Sequence, residues 1–313
     1  MAGHMEIHAL PAYPRPLGGI DDEFLREADG RQLRVFCDEF APNYMKAETT
    51  SAGTRAYLRE EESTLKRLVD AMLNRSSRII RILDIGHGDG RYGRIFFGYN
   101  RVKIVGMDNA ANMLREARKS SAADLVLGAA ETLPFPSESF DLVTMPFGLI
   151  SYVRQPQSVC EAYRVLKPGG YFFGSAYNRR GFNTIAGQFF KEASVAARID
   201  ARRDKMTVNG VELTCCTFTP LDLRDCLRKQ GFEVLDVQSH LGLRSGFSPA
   251  VIKRLQAELT CMAPVAQDDY NTERMMDALE AAFCKLYDGG MYLSAVARKP
   301  RKKMRPARLR KAA

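Results

Sequence analysis

The stretch Ile79-Ile80-Arg81-Ile82-Leu83-Asp84-Ile85-Gly86-His87-Gly88-Asp89-Gly90-Arg91-Tyr92-Gly93 decides how this chain reads. The apolar run from Ile79 to Ile85 has the composition of a strand buried on both faces, as in a parallel sheet. It runs straight into Gly86, Gly88 and Gly90, and helical spacing begins after them with Ile95 and Phe96. Glycine permits the sharp turn and lets a ligand approach the backbone closely. Free N–H groups at a helix start favour polar or anionic ligand groups.

Downstream of this unit, strands and helices alternate. A second strand, Val102 to Met107, ends in Asp108, and a helix follows over about 112–119. A third strand spans 124–127 and a fourth 140–144. A helix over 157–165, a Lys167-Pro168-Gly169-Gly170 turn and a fifth strand over 171–176 complete the series. Such alternation predicts a parallel sheet covered on both faces, with right-handed crossovers. Upstream, residues 1–30 read as an irregular arm. Residues 31–73 show helical spacing through Leu33, Phe36 and Phe40, then Tyr57, Leu58, Leu65, Leu68, Val69 and Met72. After Asn178 the pattern changes: an amphipathic helix is predicted over 181–204 and a hairpin at Asn209-Gly210. A helix opens at Thr219-Pro220 and stops at Gly231. A sixth strand covers 232–237, helices cover most of 249–286, and a last strand covers 291–297.

The chain has 313 residues, 45% of them apolar, enough to fill a sizeable core. No apolar run approaches a membrane span, and no secretory signal pattern is present. The seven cysteines form no CxxC pair and no metal-ligand spacing, so reduced thiols and a cytoplasmic location are expected, with no metal site. Of the 46 lysines and arginines, nine lie between Arg298 and Lys311 without an acid among them; the other 37 match the 37 acidic residues. The tail therefore carries the whole net charge of +9. Such a run reads as a disordered, solvated extension, or as a contact for nucleic acid or an acidic partner. It has no aromatic residue for base stacking.

Two cofactor patterns compete at the glycine turn. Gly88-x-Gly90-x-x-Gly93, with Asp108 about twenty residues on, fits the dinucleotide fingerprint. Asp84 separates the two, because Asp-x-Gly-x-Gly-x-Gly resembles motif I of the class I S-adenosylmethionine (SAM) dependent methyltransferases. The stretch from Leu125 to Pro136, followed by Phe140-Asp141-Leu142-Val143, is similar to the same family around its third and fourth strands. Arg164-Val165-Leu166-Lys167-Pro168-Gly169-Gly170 is similar to the turn before its fifth. Together these motifs cover about 79–178 and resemble the small-molecule methyltransferases of ubiquinone and menaquinone biosynthesis. The family commonly has Cys where His87 stands, and many relatives have Asp where Ala129 stands.

The resemblance implies a doubly wound, Rossmann-like α/β sheet of seven strands, the last one antiparallel between the fifth and sixth. It divides the chain into an N-terminal arm and helical cap (1–74), a SAM-binding domain (75–297) with inserted lid segments at 179–218 and 241–288, and the basic tail (298–313). The cap would bring Tyr44, Arg55 and Tyr57 within reach of cofactor or substrate, with ordinary packing as the alternative. For the cofactor it implies that Asp84, Gly86, His87, Gly88 and Gly90 cradle the amino-acid end of SAM. Asp108 would take both ribose hydroxyls, since a carboxylate accepts two hydrogen bonds. Asn109 and Met113 would flank the adenine, Ala130 and Glu131 would border it, and Met145 and Phe147 would line the methyl-transfer side.

Open α/β sheets bind ligands at the carboxyl ends of their strands. This selects Tyr152, Tyr177, Asn178 and His240 as substrate-side or catalytic candidates; His240 is also open to a plain packing role. Met145-Pro146-Phe147 is only a partial echo of the motif for amino-group methylation of adenine or glutamine. Thr214-Cys215 is expected in an inserted hairpin away from the strand ends, which disfavours cysteine-dependent cytosine methylation. The expected function is methyl transfer to O, N or C of a small or medium organic substrate, with S-adenosylhomocysteine as the coproduct. The alternatives are an RNA or protein methyltransferase using the tail, and a non-catalytic SAM-binding activator subunit.

Overall fold

A computed structural model of the chain describes residues 31–40, 52–120, 123–181, 197–200, 205–208, 211–240 and 290–301. The strands are β1 (Ile80–Ile85), β2 (Val102–Asp108), β3 (Asp124–Leu127), β4 (Phe140–Met145), β5 (Leu166–Asn178), β6 (Ala197–Asp200), β7 (Lys205–Val208), β8 (Val211–Thr214), β9 (Thr217–Phe218), β10 (Glu233–His240) and β11 (Tyr292–Arg298). The helices are α1 (Arg31–Phe40), α2 (Ala52–Arg75), α3 (Arg91–Ile95), α4 (Ala111–Ala117), α5 (Gln157–Val165) and α6 (Pro220–Lys229).

The main sheet has the order β10-β11-β5-β4-β1-β2-β3. β1 to β5 are mutually parallel where they pair, and β11 enters antiparallel between β5 and β10. This is the Rossmann-like arrangement expected from the sequence. An eighth strand, the two-residue β9, pairs with the last two residues of β5.

Every β1 residue except Arg81 is buried, because helices cover both faces. Alternate residues serve the two layers. Ile80 and Ile82 pack with Leu65 and Val69 of α2, Leu142 and Phe173. Leu83 and Ile85 pack with Val159, Ala162 and Val165 of α5 and Leu223 and Leu227 of α6. α6 starts as expected: Thr219 and Asp222 form a reciprocal capping box, and Pro220 opens the first turn.

Two expectations are corrected. Lys167-Pro168-Gly169-Gly170 is the irregular start of β5 rather than a turn before it. The ladder to β4 shifts register between Phe140 and Leu142, while Gly169 N–H donates to Lys299 O at 2.8 Å and Lys299 N–H to Gly170 O at 2.9 Å. Pairing on both sides satisfies the backbone, so the strand continues through the glycines. Residues 197–200, expected to be helical, form β6, which pairs with β7 in a separate antiparallel sheet with β8. There, cross-strand pairing overrides a helix-like spacing of side chains. The hairpin reading holds: Val208 lies opposite Val211. The arm 1–30, Tyr44, most of 181–196, the helices expected over 249–286 and the tail beyond 301 lie outside the described residues. No helix among the described residues is long and apolar enough to cross a membrane.

Because α2 is fastened mainly through fully buried side chains, Leu65→Ala should cost about 2–5 kcal/mol. A urea midpoint that does not move would show that α2 is not part of the cooperative core.

Candidate functional site

The site is built at the carboxyl ends of β1, β2 and β4. Parallel register sets Asp84 of β1 opposite Gly106 of β2 and Thr144 of β4. Asp84 Oδ2 accepts from His87 Nδ1 at 2.7 Å, and Oδ1 accepts from Thr144 Oγ1 at 2.6 Å. All three side chains are buried. The His87 ring lies over Gly106: a Cβ there would come within 2.5 Å of ring atoms. Gly106 is thus a glycine because the ring that orients Asp84 occupies its side-chain space.

The turn itself is made of left-handed residues, Gly86, Gly88 and Gly90, with φ of 70°, 56° and 87°. Gly86 and His87 N–H both donate to Met107 O, at 2.8 and 3.0 Å. At Gly88 a Cβ would meet nothing closer than Gly86 O at 4.0 Å, so its backbone is open to close approach.

Asp108 ends β2. Its Oδ2 accepts from Gly88 N–H at 2.8 Å and its Oδ1 from Ala110 N–H at 2.9 Å. Burial pushes its pKa up, and these two backbone donors act against that. Each oxygen keeps a second acceptor direction, so the carboxylate fits a diol while holding the glycine turn in place. Met113 is buried with Ala110, and Cys37 of α1 packs on them. Asp38 of α1 accepts from Asn112 N–H at 2.8 Å, and Asn112 Nδ2 donates back to Asp38 O at 2.9 Å. α1 therefore closes over the residues beside Asp108. Asn109 is half-buried and Ala130 is buried. Glu131, also buried, accepts from Arg154 N–H at 2.9 Å and so ties the strand-three loop to the segment before α5.

Across from the glycine turn, the chain leaves β4 through Met145, Pro146, Phe147 and Gly148. Met145 is fully buried, and Phe147 has φ of 55°, unusual for a side chain of its size. Two buried groups hold this turn: Glu61 Oε1 accepts from Phe147 N–H at 3.2 Å and Ser175 Oγ accepts from Gly148 N–H at 2.8 Å.

A second row forms where β10, β11 and β5 meet. Register sets His240, Tyr292 and Tyr177 side by side. Tyr57 of α2 stacks on Tyr292 with ring centroids 4.1 Å apart, Tyr177 lies 4.9 Å from Tyr292, and Tyr152 Oη donates to Tyr177 Oη at 3.1 Å. Burial, followed by the neighbouring Tyr152, holds the Tyr177 phenol well above its ordinary pKa. Cys215 packs in this cluster. The sequence places it in an inserted hairpin away from the strand ends; β9 pairing with the end of β5 brings it there.

The catalytic candidates are already engaged. His240 Nδ1 bonds Glu60 at 2.5 Å and Nε2 bonds Ser294 Oγ at 2.7 Å. Asn178 Nδ2 donates to Gly290 O at 2.8 Å, and its Oδ1 accepts from Arg180 N–H at 3.0 Å. Glu61, Asp38, Ser175 and Tyr292 were not singled out from sequence. Among the described residues, no group of three or more His, Cys, Asp or Glu is arranged to hold a metal ion.

Residues 83–174 match the family described as "Methyltransferase domain". This part of the chain is a class I SAM-dependent methyltransferase domain. It is 34% identical over 113 residues to a ubiquinone/menaquinone biosynthesis C-methyltransferase of Methylobacterium nodulans, covering 34% of this chain and 45% of that protein. It is 30% identical over 184 residues to a malonyl-[acyl-carrier protein] O-methyltransferase of Methylococcus capsulatus, covering 56% of this chain and 61% of that protein. The chain thus spans less than half of the Methylobacterium relative and under two thirds of the Methylococcus one. A crystal structure of a SAM-dependent methyltransferase from Thermotoga maritima shares the fold, with a TM-score of 0.51 and 23% identity over 83% of this chain and 98% of that one. SAM is the cofactor of this domain family, and the open Gly88 backbone and the diol-compatible Asp108 fit it.

Gly106→Ala should displace the His87 ring, costing about 1–3 kcal/mol of stability as an overpacked site does. Its imidazole NMR signals should also shift. Unchanged signals and stability would show that the ring does not rest on Gly106.

Proposed function

We propose that this chain transfers the methyl group of SAM to a small or medium organic substrate. Bound SAM supplies an electrophilic methyl carbon and a sulfonium leaving group, so the protein's task is chiefly alignment. In this reading Asp84 and the glycine turn hold the amino-acid end, Asp108 holds the ribose, and Asn109, Met113, Ala130 and Glu131 surround the base. Met145 and Phe147 face the transfer point.

The observation that carries the small-substrate reading is the enclosed tyrosine row. Tyr57, Tyr152, Tyr177 and Tyr292 are each at most 9% exposed, and Leu33 and Phe36 of α1 pack against their cluster, so the surface opposite the glycine turn suits a compact, partly aromatic or apolar molecule better than a polymer. The start of the basic tail also lies far from that row. β11 runs from Tyr292 at the site end to Arg298 at the opposite end of the sheet, six residues or about 20 Å away. Lys299 then donates from Nζ to Tyr163 O and Leu166 O, fastening the exit point there.

Tyr152 and Tyr177 are the hydroxyls best suited to orient a substrate. His240 and Asn178 act as positioning residues in this reading, because their polar atoms already bind Glu60, Ser294, Gly290 and Arg180. The cap (1–74) and the inserted segments at 179–218 and 241–288 would form the lid over the site.

Methyl-labelled SAM, incubated with the protein and a cell extract, should label the small-molecule fraction. Label in RNA or protein would replace this reading with one centred on the tail, and SAM binding without any label would favour an activator subunit. Asp108→Ala should weaken SAM by about 1.5–3 kcal/mol in calorimetry, the range for hydrogen bonds to a charged group. Unchanged affinity in the folded variant would remove the ribose role.

A further inference from the structure

Glu61 is a buried acid that the roles above leave unexplained. It sits on α2 and is 1% exposed. Tyr57 Oη donates to it at 2.5 Å, Phe147 N–H at 3.2 Å, and Tyr92 Oη also donates. The Ser175 hydroxyl is a further partner. All of these groups are neutral, and Glu61 takes part in no ion pair among the described residues. A carboxylate removed from water without a cation is costly, and burial accordingly pushes the Glu61 pKa up.

Its surroundings suit a positive charge. Tyr57 and Tyr292 stack at 4.1 Å, and Phe147 lies 6.1 Å from Tyr57 and 5.8 Å from Tyr292, centroid to centroid. Aromatic faces attract cations, most strongly where water is excluded. The donors to Glu61 come from both sides of the site: Tyr92 from the helix after the glycine turn, and Phe147 from the turn after β4. The carboxylate therefore bridges the cofactor side and the substrate side, where the reaction proposed above requires a positive centre.

We propose that Glu61 is the counter-charge for a cationic group at the transfer point, either the sulfonium of SAM or a positively charged nitrogen of the substrate. This rests on the methyltransferase reading.

SAM and S-adenosylhomocysteine differ by the methyl group and the charge on sulfur, so their affinity ratio reports on a counter-charge. Calorimetry on the full chain would compare wild type, Glu61→Gln and Tyr92→Phe. Glu61→Gln should lower the ratio of SAM affinity to S-adenosylhomocysteine affinity by about tenfold, or about 1.4 kcal/mol. Tyr92→Phe, which removes a hydrogen bond but keeps the charge, should leave the ratio unchanged. If the ratio holds in Glu61→Gln, tetramethylammonium is titrated into the S-adenosylhomocysteine complex. Binding to wild type that Glu61→Gln loses would assign the cation to the substrate and sustain the proposal. Equal weakening of both cofactor forms, with no tetramethylammonium binding, would overturn it.

Should Glu61→Gln fail to fold, wild type is titrated instead. Either that ratio or tetramethylammonium binding to the S-adenosylhomocysteine complex should fall as pH drops through the raised Glu61 pKa, where the charge is lost; both staying flat overturns the proposal. The other titratable groups around it are Tyr57, Tyr92 and Tyr292, with His240 5.6 Å from the Tyr57 ring and paired to Glu60. Repeating the titration in His240→Gln separates the imidazole. Wild type that binds neither SAM nor its product would overturn the methyltransferase reading together with this one.

Discussion

The level at which β1, β2 and β4 end is the constraint on which the site depends. Ladder hydrogen bonds set Asp84 beside Gly106 and Thr144. A slip of one residue would turn Asp84 to the other face of the sheet and lose the row at once. Within the row each residue serves the next. The bare Cα of Gly106 leaves room for the His87 ring, the ring and the Thr144 hydroxyl orient Asp84, and Asp84 stands directly before the glycine turn. Backbone pairing, not side-chain chemistry, brings these groups within hydrogen-bond reach.

The antiparallel entry of β11 adds the second half. Because β11 runs against β5 and β10, its first residue, Tyr292, meets Tyr177, next to last in β5, and His240, the last residue of β10. Aromatic side chains thus converge at the same edge of the sheet as the glycine turn. α2 covers them, contributing Tyr57 to the stack and Glu60 to the His240 ring. The tie from Glu60 through His240 to Ser294 joins α2 to two strands of the sheet, so the docking of α2 also fixes the His240 ring.

Two acids, the half-buried Asp108 and the buried Glu61, share a pattern. Each is held by neutral donors, and burial raises the pKa of each. An apolar side chain in either place would avoid that electrostatic cost; a group that pays for its charge in the bare protein is suited to a ligand that supplies hydroxyls or a cation. The positive-φ turn at Phe147 follows the same logic, since Glu61 and Ser175 hold an unfavourable backbone in place beside the site.

Much was legible in the residues alone: the strand, turn and helix around Gly86–Gly90, the acids at Asp84 and Asp108, the order of alternating strands and helices, and the capped start of α6. These features are local: propensity, period and glycine spacing are all expressed within a few residues of one another. The rest emerged from packing. Glu61 looks like one more charge in Arg59-Glu60-Glu61-Glu62 until α2 docks and turns it toward Phe147, 86 residues away. Asp38 gains its role from Asn112, Cys215 from the pairing of β9 with β5, and His240 from Glu60, 180 residues distant. Residues 197–200 carried a helix-like pattern and became a strand because a partner was available. Contacts between residues so far apart follow from packing and register, for which no local run of residues carries a signal.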